Sequence, residues 1–145
     1  WRALPMAQGW TWVDDHDQAA AAAAGTGLVV LTVGRQPVPH YLVLGERPVI
    51  VRCVDPPEVD LPYGWQVLRA RGPFTLDDER RLLAGAEVVV SKDSGGTEPD
   101  PKLVAAAEQG VAVVMVSRPA VPAATAEVAT ADEAAAWVRR RLLRR

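Results

Sequence analysis

The stretch Val88-Val89-Val90-Ser91-Lys92-Asp93-Ser94-Gly95-Gly96, with Asp100-Pro101-Lys102 shortly after it, decides the fold. An apolar run that reads as a buried strand passes straight into a short, charged, glycine-containing loop. Asp100 is suited to cap a helix. Pro101 suits its first position, where the fixed φ is already helical and the missing N–H is not needed. Strand, glycine loop and helix start are how a parallel α/β sheet offers backbone N–H groups and a helix N-terminus to an anion. Both lysines of the chain, Lys92 and Lys102, fall in this window, against 14 arginines elsewhere. Arginine serves on any solvated face, so the choice of lysine points to a site that wants a compact point charge.

Outward from this unit the same alternation repeats. Apolar runs at 28–33, 49–54, 65–70, 87–90 and 111–116 read as five strands, rich in Val, Ile and Leu. Between them lie a helix capped by Asp17 and ended by Gly25, a short helix over 38–44, a helix opened by Thr75, and one over 101–109 ended by Gly110. A last helix starts at Thr130 or Asp132 and runs to about Arg144. Asp77, Asp78 and Glu79 in a first turn, with Arg80 and Arg81 behind them, complement the helix dipole. Near-continuous apolar strands alternating with helices predict a mostly parallel, five-stranded sheet covered on both faces. The link over 55–64 carries three prolines and no helical pattern, so it must cross as extended coil. Residues 1–14, with Trp1, Trp10 and Trp12, read as an aromatic lead-in packed on the body.

The totals narrow the function. At 145 residues the chain is about one domain, and 49% hydrophobic residues suffice for a packed core. A net charge of −2 argues against general nucleic-acid binding. The closing run of arginines from Arg139 reads as a solvated helix end, where cations oppose the dipole. No apolar run approaches the ~20 residues of a membrane span. The single cysteine, Cys53, sits in an apolar strand and reads as core; one cysteine and no signal peptide fit a reducing cytoplasm. His16 and His40 lack metal-ligand spacing, and no Ser/His/Asp or Cys/His set is evident. No metal is expected.

The strand exits carry the chemistry. They are Gly34-Arg35, Asp55-Pro56, Arg71-Gly72-Pro73-Phe74, Lys92 to Gly96, and Arg118-Pro119. In a parallel sheet these lie on one edge, the carboxyl edge, where ligands bind. Four of the five carry a cation, which points to an anionic ligand. Ser94-Gly95-Gly96 is the best local signal, since paired glycines let backbone approach a ligand closely. A tight turn with two solvated lysines is the plainer alternative.

These residues resemble the precorrin-6A reductase family of cobalamin biosynthesis. The likeness rests on Val90 to Gly96, Lys102-Leu103, Ala105-Ala106, the run 111–116 and Arg118-Pro119. It extends to Leu31-Thr32-Val33-Gly34-Arg35, Val54-Asp55-Pro56-Pro57, and Arg71-Gly72-Pro73-Phe74 with Glu79. Six motifs in order cover nearly the whole chain. Pro99 departs from the family pattern, which often has a threonine there. The resemblance implies a Rossmann-like three-layer sandwich, one domain over 1–145, forming the C-terminal half of a two-domain enzyme. Residues 1–14 would then lead in from an N-terminal half with which this chain shares a cleft. It implies NADPH-dependent reduction of one double bond of a tetrapyrrole, precorrin-6A to precorrin-6B. Gly34, Arg35, Lys92, Ser94, Gly95 and Gly96 are expected on the cofactor, and Arg71, Gly72, Pro73, Phe74, Lys102 and Arg118 on the carboxylate-rich substrate. Hydride transfer needs alignment more than a protein nucleophile, so a missing triad is no objection. No catalytic residue is assigned. The competing reading is a non-catalytic module that holds an anion at the sheet edge.

Overall fold

The computed structural model describes residues 1–95 and 98–143. Its strands are β1 (Thr11–Val13), β2 (Leu28–Leu31), β3 (Val49–Cys53), β4 (Trp65–Arg69), β5 (Ala86–Lys92) and β6 (Ala112–Val116). They form one sheet in the order β1-β6-β5-β2-β3-β4, and every neighbouring pair is parallel. The helices are α1 (His16–Ala22), α2 (Leu76–Leu82), α3 (Pro101–Gln109) and α4 (Ala131–Leu142), with 3₁₀ turns at Pro5–Gly9 and Val38–Leu44.

Strand alternation sorts the core into two halves. Val29, Leu31, Val49, Val51, Val88 and Val90 face Ala19, Ala20 and Ala23 of the α1 segment and Tyr41 of the 3₁₀ turn. Val30, Val89, Val113 and Met115 face the other way, onto Leu82 at the end of α2, Leu83 just after it, and Leu103, Ala105 and Ala106 of α3. The result is the expected helix–sheet–helix sandwich. Its central strands are buried on both faces, which explains their uninterrupted valine composition.

The sheet has six strands, not five. The addition comes from the aromatic lead-in: Thr11 to Val13 pair in parallel register with Val114 to Val116. Three residues are too few to carry a periodic signal. Their Trp12 and Val13 divide between the two core halves, as adjacent strand residues must. The coil over 54–64 does join two parallel strands, β3 and β4, without a helix.

Local starts and stops follow side-chain chemistry. Thr75 and Asp78 form a reciprocal capping box on α2, and Thr130 and Glu133 do so on α4. Gly110 ends α3 at φ 66°, a left-handed conformation that suits glycine. α1 is capped by Asp15, whose Oδ1 accepts from the Gln18 N–H at 2.8 Å, and not by Asp17. Asp17 instead meets His40 Nδ1 at 2.7 Å. α4 buries none of its residues. Among the described residues no helix is long and apolar enough to cross a membrane.

Candidate functional site

Because every strand runs the same way, all the strand exits lie along one rim. Three hollows line it. The first, about 540 Å³, lies between Thr32 and Gly34 after β2, the Gly72-Pro73-Phe74 turn after β4, and Lys102 at the start of α3. The second, about 280 Å³, is lined by Gly34, Arg35, Val54, Asp55 and Lys92. The third, about 490 Å³, is lined by His16, Lys92, Asp93, Ser94 and Arg118 among others. Gly34 is shared by the first two and Lys92 by the last two, so the hollows run on from one another.

Most of the residues expected from sequence therefore converge, though not in equal states. Lys92 and Ser94 are exposed. Gly34 has φ 82° and open space where a Cβ would stand. Arg35 is drawn to Glu58 at 2.8 Å, an exposed pair of small energetic weight. Arg71 is exposed and lines none of the three hollows. Gly72 and Pro73 are joined by a cis peptide bond. Arg118 works on the loop itself: its Nε donates to the Asp93 carbonyl at 3.1 Å and its Nη2 to the Ser94 carbonyl. That guanidinium fills the space where a Cβ on Gly95 would go, and Gly95 is at φ 73°. A larger residue there would be strained at that φ and would have to push the guanidinium aside. Gly96 lies outside the described residues. The N-terminus of α3 is already supplied with an anion, since Asp100 accepts from the Lys102 backbone N–H at 2.9 Å.

Sequence reasoning missed the charged floor of the first hollow. Arg52 of β3 places Nη1 2.9 Å from both carboxylate oxygens of Glu79 on α2. The two side chains are 9% and 1% exposed. The Phe74 ring closes over the guanidinium, with its centroid 3.9 Å from Cζ. Lys102 stands beside this pair, 9% exposed at the side chain, with Asp100 Oδ2 3.8 Å from its Nζ. Burial pushes the Lys102 ammonium below the ordinary lysine range; Asp100 opposes this and Arg52 adds to it. Burial likewise pushes the Glu79 carboxyl upward, against the pull of Arg52. One clue was available. Arg52 interrupts an otherwise apolar strand, Val49-Ile50-Val51-Arg52-Cys53-Val54, and a buried charge needs a partner.

A second polar group flanks the third hollow. His16 Nδ1 lies 2.7 Å from the hydroxyl of Tyr41, which is fully buried. The His16 and His40 rings are 5.8 Å apart. The two histidines do not stand alone, as their sequence positions imply; α1 and the 3₁₀ turn bring them together. Burial first, then His40 and Lys92, holds His16 below the ordinary histidine value.

Comparison with known proteins agrees with this architecture. A family model described as Precorrin-6x reductase CbiJ/CobK matches residues 1–139. The precorrin-6A reductase of Rhodococcus erythropolis is 39% identical over 132 residues, which is 89% of this chain and 53% of that protein. The precorrin-6A reductase of Rhodobacter capsulatus is 37% identical over 118 residues, 79% of this chain and 47% of its own length. A solved structure titled CobK precorrin-6A reductase superposes with a TM-score of 0.76 at 33% identity, covering 97% of this chain and 58% of that one. The chain thus spans about half the length of the curated relatives it matches. With the parallel sheet, the ordered rim motifs and these matches together, the chain belongs to the precorrin-6x reductase family, CbiJ/CobK.

Proposed function

We propose that this chain supplies part of the substrate and cofactor cleft of a reductase in cobalamin biosynthesis, one that converts precorrin-6A to precorrin-6B with NADPH. The observation that carries the reading is the continuous rim, where cationic and glycine positions of the family motifs meet along one sheet edge. Its substrate would be a macrocycle with many carboxylates, and a row of basic side chains suits that charge.

The rim also suits a nicotinamide dinucleotide phosphate. Lys92 is an exposed ammonium, and the open backbone at Gly34 lets a phosphate approach without a side chain in the way. In this reading Gly34, Arg35, Lys92, Ser94, Gly95 and Gly96 hold the cofactor. Gly72, Pro73, Phe74 and Lys102 face the macrocycle, Arg71 stands outside the hollows within reach of its carboxylates, and Arg118 braces the loop after β5. The cofactor, when bound, supplies a hydride. The chain's own residues hold the carboxylates in register and keep the charged floor under the reacting ring. The remaining half of the enzyme, carried by the longer relatives, would complete the cleft. The reading also places the protein in the cytoplasm, where this biosynthetic chemistry draws on reduced nicotinamide.

The test is NADPH oxidation with precorrin-6A, using this chain together with the half its relatives carry. Lys92→Ala with Ser94→Ala is expected to raise the KM for NADPH at least tenfold. Full activity of that double variant would refute the cofactor assignment. Tight tetrapyrrole binding without any NADPH oxidation in the intact protein would favour a non-catalytic binding module.

A further inference from the structure

We propose that Lys102 is the acid that protonates the substrate carbon next to the one receiving hydride. The inference rests on the proposed reduction and assigns the proton that reaction leaves unassigned. A hydride brings two electrons and one hydrogen to a carbon–carbon double bond. The neighbouring carbon still needs a proton, which an acid on the cleft wall can provide directly or through one water.

Among the described residues of the first hollow, Lys102 suits this task by position. Its side chain is nine-tenths buried, yet it lines the 540 Å³ space. Its nearest carboxylate oxygen, Asp100 Oδ2, stands 3.8 Å from Nζ, so a long ion pair rather than a short hydrogen bond holds the ammonium. The other cation of the floor, Arg52, is consumed, with Nη1 on both oxygens of Glu79 and its face against Phe74. Arginine is in any case too weak an acid to give up a proton near neutrality.

The charges facing Nζ come from three elements. Asp100 caps its own helix, Glu79 comes from α2 and Arg52 from β3. Together with Lys102 they sum to zero when all four are ionised. Losing one proton would leave the floor with a single negative charge, close to Asp100. Asp100 is 36% exposed at its side chain and 3.8 Å from Nζ. It therefore links the recessed amine to solvent. In the step, the N–H bond of Lys102 breaks as the new C–H bond forms, leaving a neutral amine, and a solvent proton returns by way of Asp100. Burial also biases the ammonium toward release, because desolvation disfavours the charged form.

Two readouts test this. The first needs no turnover. The chain has only two lysines, so ¹³Cε resonances of Lys102 and Lys92 can be told apart with Lys102→Met as the control. Lys102 is expected to titrate below the ordinary lysine range, and titration at or above that range overturns the proposal. The second uses the full two-half enzyme. Lys102→Arg keeps the charge but not the acidity, and is expected to lower kcat about 100-fold with the tetrapyrrole KM within threefold. Asp100→Asn removes the anion that holds the proton on, so the basic limb of the kcat profile should move to lower pH. Unchanged kcat and an unchanged pH profile in Lys102→Arg overturn the proposal. If that variant lacks native circular dichroism, Lys102→Met carries the same prediction for kcat. A wild-type enzyme that oxidises no NADPH with precorrin-6A would sink the functional reading itself. Turnover in wild type and Lys102→Arg alike would sink only this inference.

Discussion

Glu79→Gln should be among the costliest single-atom-scale changes in the protein. The substitution keeps the side-chain shape and removes the charge that faces Arg52. At the observed 2.9 Å, and with an effective dielectric constant of about 20, the ion pair carries about 6 kcal/mol of gross attraction. Part of that is returned, because Glu79 no longer has to be buried as an anion, and the amide oxygen still accepts one hydrogen bond. What remains is an uncompensated guanidinium on a side chain only 9% exposed. Removing one partner of such a pair costs about 3–5 kcal/mol, so we expect about 3 kcal/mol for the isosteric change. A domain of this size has roughly 5–15 kcal/mol in total, and the corresponding fall in Tm is about 10 °C. Urea unfolding followed by tryptophan fluorescence measures it directly. The double variant Arg52→Met, Glu79→Leu removes both charges and fills the space with apolar atoms, so it should fall within about 1 kcal/mol of wild type. A cost below 1 kcal/mol for Glu79→Gln alone, or a double variant worse than the single, would refute the claim that the floor is a desolvated, mutually dependent pair.

Gly95→Ala should destabilise the loop after β5 by about 1–2 kcal/mol, since it strains a positive φ and displaces Arg118; faster protease cleavage within 92–98 is the readout, and unchanged cleavage would contradict it. Thr75→Ala should cost about 1 kcal/mol through the lost capping box of α2, measured as a shift in urea midpoint without a change in slope. For His16 the folded state prefers the neutral ring, so the unfolded chain binds the proton first as pH falls below about 6.5. Stability should therefore drop from that pH down to the lower folded value and then level off. His16→Asn should reduce that acid sensitivity, read as a smaller difference in urea midpoint between pH 7.5 and 5.5.

How far the fold was legible depended on the length of each signal. The valine runs at 28–33, 49–54 and 111–116 carry their burial on both faces in their composition, and the structure places them at or near the sheet centre. Thr75, Asp100 and Thr130 announce helix starts because their oxygens serve backbone N–H groups within the same few residues. β1 escaped because its pairing is with Val114 to Val116, far along the chain, and nothing local marks it. The site was legible as a list of strand exits, since a parallel sheet sends all of them to one edge. Its floor was not. Arg52 and Glu79 lie on different elements, and only the packing of α2 against β3 makes them a pair. The same holds for His16 and Tyr41, joined by the contact of α1 with the 3₁₀ turn.

The pairing of β1 with β6 also bears on how the molecule assembles. Thr11 meets Val114, so this ladder can form only after nearly the entire chain has been gathered. Closing so wide a loop is entropically slow, and only three residues are there to reward it. The four central strands and their helices can settle first, with the short marginal strand arriving late and leaving early. Amide exchange should then be fastest in Thr11 to Val13 of all strand positions. Partial opening at that margin would carry Asp14 away from the rim while leaving α1 and the Arg52–Glu79 floor in place.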